Sequence, residues 1–213
     1  MKRNQVNSLR HCAAVLLCGL IFLGAVRNAA AQSVILDPIA VLQTGNGETL
    51  HSAWQSVFIP ESAFPQQIQI AVGFSTDETF APETFFDSVT LTLQDELSSL
   101  AAIFFTMDCS GAFWAPLPDG GIPVDPNAIG RESIEFPDLS PAYVHQVAYY
   151  LTLPIPASLT GRQLNLYLDL FDNQDTAGSL AWMSQVTVVP EPGAAALAAL
   201  GTALFALRRK SKL

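Results

Sequence analysis

Residues 163–171 read Gln-Leu-Asn-Leu-Tyr-Leu-Asp-Leu-Phe. Every second position from Leu164 to Leu170 is a leucine, with Asn165, Tyr167 and Asp169 between them. Successive side chains of an extended chain point to opposite faces, so this period of two describes a strand with one face in a core. A helix would scatter the same four leucines around its circumference. The pattern recurs along the chain. Ile68, Ile70 and Val72 alternate with Gln67, Gln69 and Ala71, and Val89, Leu91 and Leu93 alternate with Ser88, Thr90 and Thr92. Residues 143–153 carry apolar and aromatic side chains in both registers, which predicts a central strand covered on both faces. Further strands are expected over 34–43, 53–59, 100–107 and 180–189, separated by Gly, Pro, Asn and Asp. About eight strands in one stretch of this length predict an all-β fold, an antiparallel β-sandwich with the jelly roll as one form of it. Residues 94–102 could hold a turn or two of helix. Residues 115–131, with four prolines and three glycines in 17 positions, predict a long loop.

Charge separates the 213-residue chain into three parts. The net charge is −9, but eight of the ten cations lie in the first 27 or last six residues. Residues 32–189 hold 18 acids against Arg131 and Arg162, a net charge of −16. Such a surface repels phosphate backbones and argues against a nucleic-acid partner. Cys109 is the one cysteine of this middle part, so no disulfide framework is available to it.

Residues 1–31 read as a secretory signal peptide. Lys2, Arg3 and Arg10 form a basic start, and an uncharged apolar run covers 12–26. That run would span roughly 23 Å of helix, short of the ~30 Å hydrocarbon core, which favours a cleaved signal over a retained anchor. Ala29 and Ala31 place small side chains where signal peptidase reads them, predicting cleavage before Gln32. Cys18 follows bulky Leu16 and Leu17, so a lipoprotein signal does not fit.

The other end, 189–213, is built in three pieces. Residues 189–193 are Val-Pro-Glu-Pro-Gly, 193–207 form an Ala/Leu-rich apolar helix, and 208–213 are basic. Prolines 190 and 192 hold an extended segment, and the basic cluster should stay cytoplasmic, making a stop-transfer hook. The terminal Ser-Lys-Leu belongs to that basic flank, since an exported chain does not meet the peroxisomal receptor. Pro190, Glu191 and Pro192, the apolar helix, and Arg208 and Arg209, in that order, closely resemble the PEP-CTERM sorting signal of Gram-negative bacteria. The resemblance covers about 25 residues. It implies recognition by an exosortase-type membrane enzyme, transient insertion in the inner membrane, and delivery to the cell surface or extracellular matrix.

The chemistry legible in residues 32–188 is sparse. Cys109 could pair with His51 or His145 as a thiol nucleophile, but a small buried side chain is the commoner role of a free cysteine. No Ser elbow and no zinc spacing is present, and nothing selects a catalytic pair among the acids. No enzymatic activity is expected. Asp169, Asp172, Asn173 and Asp175 gather hard oxygen donors at the end of a strand. They read first as a turn and second as a calcium site, the one cofactor the sequence suggests. Asp77-Glu78 is a similar acidic pair. Aromatic side chains in such folds belong mostly to the core. Trp114, which opens the Pro-rich loop, is the candidate for stacking on a ligand. The expected function is a structural or interaction role in the cell envelope or extracellular matrix. The alternative is a carbohydrate-binding module of the exopolysaccharide matrix, recognisable by an exposed aromatic platform or a calcium-braced loop. A hydrolase would need two carboxylates facing each other across a groove.

Overall fold

The computed structural model describes residues 37–45, 47–62, 65–81, 85–116 and 121–190. The expected signal peptide with Ala29 and Ala31, and the expected sorting tail beyond Pro190 with Glu191, Pro192, Arg208 and Arg209, lie outside the described residues. Within the described residues the chain is all-β. Its strands are β1 (Ala40–Gln43), β2 (Leu50–Ile59), β3 (Gln66–Thr76), β4 (Ser88–Asp95), β5 (Leu100–Asp108), β6 (Gly111–Trp114), β7 (Gly130–Ser133), β8 (His145–Pro154), β9 (Arg162–Phe171), β10 (Ser179–Met183) and β11 (Thr187–Pro190). They form two antiparallel sheets. One has the order β1-β10-β3-β8-β7, with β11 also paired to β3, and the other has the order β2-β9-β4-β5-β6.

The pairing is nested. β4 pairs β5, β3 pairs β8, β2 pairs β9 and β1 pairs β10. The two sheets present their inner faces to one hydrophobic core. Leu164, Leu166, Leu168 and Leu170 of β9 meet Ile68, Ile70 and Val72 of β3 and Leu151 and Leu153 of β8 there. Burying each such side chain contributes about 1.5–3 kcal/mol. The described part of 115–131 is less loop than its composition predicts. Ile122 N donates to Ala101 O, a single 3-10 turn covers Pro126–Ala128, and Gly130 begins β7. Residues 94–102, which could hold a turn or two of helix, instead end β4, make a tight turn over 96–99 and begin β5.

Two departures from period two have a geometric cause. Phe104 and Phe105 are consecutive and both fully buried. Leu91 faces Phe105 while Thr92 faces Ile103, so Phe104 is the extra residue of a β-bulge, and the bulge turns both rings inward. The expected strand 180–189 is interrupted. Met183 pairs Val72 and Thr187 pairs Gln69, so four steps along one strand cover three along the other. Ser184 repairs the ladder: its N–H donates to Ala71 O at 2.8 Å and its Oγ accepts from Ala71 N at 2.9 Å. Gln55, reaching from β2 of the other sheet, fills the remaining gap. Its Nε2 donates to Ser184 O at 2.6 Å and its Oε1 accepts from Val186 N at 2.8 Å.

The outer faces differ. On the six-stranded sheet, Ala71, Ala148, Leu180 and Trp182 form a second buried cluster under Ile134, Phe136, Leu139 and Tyr143. The indole lies so close to β3 that a Cβ on Gly73 would stand 2.2 Å from Trp182 Nε1. Tyr150 of β8 joins this cluster while Leu151 and Leu153 face the main core, as the two-sided pattern of 143–153 predicts.

Replacing Gln55 by leucine should keep the volume and strand two buried backbone groups, Ser184 O and Val186 N. A stability loss of about 2–4 kcal/mol is expected, because each unsatisfied buried group costs roughly 1–3 kcal/mol. Urea unfolding of the full-length variant against the wild type measures it.

Candidate functional site

The outer face of the five-stranded sheet carries an open array of rings and polar groups. Alternation along β2 puts Leu50, Ser52, Trp54, Ser56 and Phe58 on this face, opposite Phe171, Asp169, Tyr167, Asn165 and Gln163 of β9. Trp54 is 59% exposed and Phe58 58%. The Trp54 and Tyr167 rings are neighbours, with centroids 6.2 Å apart and planes tilted by 35°. The Tyr167 hydroxyl donates to Glu96 Oε1, which also accepts from Asn165 Nδ2 at 2.9 Å. That bond to Glu96 raises the Tyr167 pKa and fixes the ring along the sheet. Ser56 Oγ donates to Asn165 Oδ1 at 2.7 Å, and Ser52 Oγ to Asp169 Oδ1 at 2.5 Å. Beyond β9 the rows continue through Thr90 and Thr92 of β4 to Thr106 of β5 and Phe113 of β6. None of these outward rows contains a cation. Flat apolar rings beside hydroxyl, amide and carboxylate groups match what a sugar ring offers, an apolar C–H face and an equatorial rim of hydroxyls.

A second concentration of chemistry lies at one end of the two sheets. The inward register of β3, continued past Thr76, reaches Glu78. That of β4, extended backwards, reaches Asp87, and that of β9 reaches Asp172. All three are at most 5% exposed. Glu78 Oε2 accepts from Asp87 N at 2.9 Å, and Asp87 Oδ1 accepts from Asn173 N at 2.8 Å. Asn173 Nδ2 stands 2.9 Å from Glu78 Oε1, 2.9 Å from Phe85 O and 3.1 Å from Asp175 Oδ2. Burial pushes the Glu78 carboxyl up to about 7, and repulsion from Asp87 and Asp175 adds to it against the pull of the Asp87 and Asn173 hydrogen bonds. Burial also raises Asp87, with Asp172 and Asp175 adding repulsion while the Asn173 N–H and the Ser179 hydroxyl oppose it.

The structure divides the residues singled out from sequence. Asp169 stands on the outer face of β9 with Ser52, away from the inward Asp172. Strand parity separates it from Asp172, odd against even, and Asn173 and Asp175 lie in the loop past the end of β9. Asp172 holds loops together, Oδ2 accepting from Gly45 N and Oδ1 from Gln174 N. Asn173 and Asp175 enter the acidic end, where Glu78 of the Asp77-Glu78 pair meets them, while Asp77 Oδ1 accepts from Val144 N. Trp114 is half-buried: its ring makes edge contacts with Phe105 and Tyr149, and the Arg131 guanidinium lies 4.5 Å from its centre. The sequence singled out Trp114 and left Trp54 under the general expectation that such rings are mostly core. Its position opposite Leu164–Leu170 parity, in Ser52-Ala-Trp54-Gln-Ser56, carried the outward signal.

Cys109 and His145 line one cavity of about 420 Å³ with Phe74, Met107 and Tyr149, next to the acidic end. Burial raises the Cys109 thiol, and Glu78 and Asp108 add repulsion, which is the opposite of what activates a thiol nucleophile. His51 lies apart, on the inner side of β2 beside Glu48. Among the described residues no group of three or more His, Cys, Asp or Glu side chains is drawn up as a metal shell, and no helix is long and apolar enough to cross a membrane. Comparison of the chain with family models, with curated proteins and with solved structures finds no match.

The raised Glu78 pKa gives a signed pH dependence. Unfolded, the carboxyl ionises near 4.5; folded, near 7. The favourable contribution of the protonated form is therefore complete below pH 4.5 and lost as the pH rises through about 7. In EDTA, Glu78→Gln should flatten the melting temperature between pH 5 and 8 and raise it at pH 8. Thermal unfolding monitored by circular dichroism at both pH values checks this.

Proposed function

We propose that this is an exported protein, delivered by its PEP-CTERM-like tail to the cell surface or matrix, whose folded domain binds uncharged polysaccharide. Its broader role is structural or interactive rather than catalytic. The supporting observation is the outer face of the five-stranded sheet, where Trp54 and Tyr167 lie open beside Asn165, Ser56, Ser52 and Asp169. We read the two sheets as the layers of a β-sandwich and the nested pairing β4–β5, β3–β8, β2–β9 and β1–β10 as a jelly roll. Fold of this kind does not fix function, so the reading rests on the face itself.

Charge narrows the ligand. The middle of the chain carries −16, and the face displays Asp169 and Glu96 with no cation to offset them. An anionic polymer would be repelled over a Debye length of about 8 Å at physiological salt. A neutral glycan meets no such barrier. Its hydroxyls would exchange water for Asn165, Ser52 and Asp169, and its C–H faces would cover Trp54 and Phe58.

The geometry of delivery is consistent with this. Pro190 pairs Gln66 at the start of β3, while the acidic loops follow Thr76 at its end. Ten strand steps, roughly 33 Å, separate the point where the tail leaves from those loops.

Affinity electrophoresis of the full-length protein in gels containing neutral β-glucan, xylan or alginate tests the ligand. Retardation is expected with a neutral polymer and not with alginate. Trp54→Ala should weaken binding at least tenfold with an unchanged melting temperature, about the loss of one 1.4 kcal/mol stacking contact. Retardation unaffected by Trp54→Ala, or absent from every neutral polymer, would refute the glycan reading.

The tail is tested separately in a host carrying the sorting enzyme. Replacing Pro190, Glu191 and Pro192 with alanine should leave export intact and strand the product in the inner membrane, still joined to Arg208 and Arg209. Fractionation and blotting read the result, and normal maturation of the triple variant would refute the sorting assignment.

A further inference from the structure

The acidic end has too many acceptors for its donors. Asn173 Nδ2 carries two hydrogens, yet Glu78 Oε1, Phe85 O and Asp175 Oδ2 all stand within 2.9–3.1 Å of it. These oxygens come from three separate segments, the end of β3, the approach to β4 and the loop after β9. They converge on one point. An independent observation lies beside it. Asp87 is fully buried, and while its Oδ1 takes the Asn173 N–H, its Oδ2 has no donor in hydrogen-bond geometry, since the nearby Ser179 hydroxyl directs its one proton to Thr76 Oγ1 at 2.8 Å. An unpaired buried carboxylate oxygen costs several kcal/mol in ordinary circumstances and calls for a positive partner. The two described arginines do not supply one. Arg162 is engaged with Asp95 and Ser98, and Arg131 lies over Trp114.

We propose that Glu78, Asp87, Asp175 and the Phe85 carbonyl form a calcium site that the cation enters by displacing the Asn173 amide nitrogen from their meeting point. The donor set is all oxygen and three-fold carboxylate, which selects a hard divalent cation over zinc or copper. Calcium bonds run about 2.3–2.6 Å, so the three oxygens around Nδ2 need to close by only about half an ångström. Magnesium demands about 2.0–2.1 Å and near-ideal octahedral order, which oxygens from three separate loop segments are less suited to give. The amide at the centre also explains why the carboxylates are not already drawn up as a shell. Asp172 is not a ligand here, because both of its oxygens hold backbone N–H groups of the loops that frame the site.

Of the run Asp169, Asp172, Asn173, Asp175 that the sequence suggests, only Asp175 is a ligand here. The site joins loops from both sheets, since β3 belongs to one and β4 and β9 to the other. Cation binding would therefore pin the two layers together at the end away from the tail. It does not depend on the glycan reading, and either can fail alone.

Isothermal titration of EDTA-stripped full-length protein with calcium chloride, paired with thermal unfolding, tests the proposal. Saturating calcium should raise the melting temperature by several degrees beyond sodium chloride of equal ionic strength, and magnesium should do less. Glu78→Gln and Asp175→Asn should each weaken calcium binding at least tenfold. At pH 8 in EDTA both neutral variants should melt higher than wild type, because each removes repulsion, so a lost calcium response cannot be ascribed to misfolding. Asp175 is exposed, which keeps its variant readable if Glu78→Gln perturbs the core. Asp169→Ala should respond to calcium as wild type does. Equal shifts from calcium and matched salt, an undiminished response in both neutral variants, or loss of the response in Asp169→Ala would each overturn the assignment.

Discussion

A single buried amide, Gln55, ties the two sheets of this protein together where the backbone ladder fails. Between β10 and β11 one extra residue breaks the pairing with β3, and a break in a central ladder leaves donors and acceptors in a water-free core. The Ser184 hydroxyl takes over for one backbone carbonyl, and the Gln55 side chain satisfies Ser184 O and Val186 N from across the core. An apolar residue of equal size would pack and leave these groups unpaired. The chain keeps a polar side chain in its core for this reason, and the last strand can then turn toward the tail without opening the fold.

The asymmetry of the outer faces follows from how the chain connects β7 to β8. Residues 134–143 fold back over the six-stranded sheet and bury Trp182, Leu180 and Ala71, with Gly73 making room for the indole. No described segment covers the five-stranded sheet in the same way, so the rings on β2 and β9 stay open. Trp182 and Trp54 both sit on outward registers of their strands. One is core and one is surface because of a loop, and the ligand reading depends on that difference.

The two ends of the sheets also divide the electrostatics. Asp95, inward at one end of β4, is held ionised by hydrogen bonds from Ser98 and Arg162. Asp87, inward at the other end of the same strand, has no arginine and is pushed toward its protonated form by burial. The same residue type, eight positions apart on one face, meets opposite surroundings. A chain with two cations in its middle can neutralise few buried acids by ion pairing, and the remainder must find protons, amides or a metal ion.

Much of the β architecture is legible in the sequence because it is local. Alternation in Leu164–Leu170, Ile68–Val72 and Val89–Leu93 reports burial of one strand face, and burial of that face is what holds each strand in place. Each of the eight expected strands has a counterpart, 34–43 only as Ala40–Gln43 among the described residues and 180–189 split in two, while β6 and β7 escaped notice because four residues carry too little periodicity to stand out from a Pro-rich loop. The two proposed address segments rest on composition and lie outside the described residues. Pairing order, the Phe104 bulge, the bridge from Gln55, the exposure of Trp54 and the meeting of Glu78, Asp87 and Asp175 were not legible in the sequence. Each depends on which distant strand lies alongside, and strand alternation reports a residue's face without naming its neighbour. Sequence determined a set of two-sided strands in an acidic middle part and suggested a sorting segment at each end. Tertiary structure decided which outward face stays open and which carboxylates are forced together, because both follow from long-range contacts that no local pattern encodes.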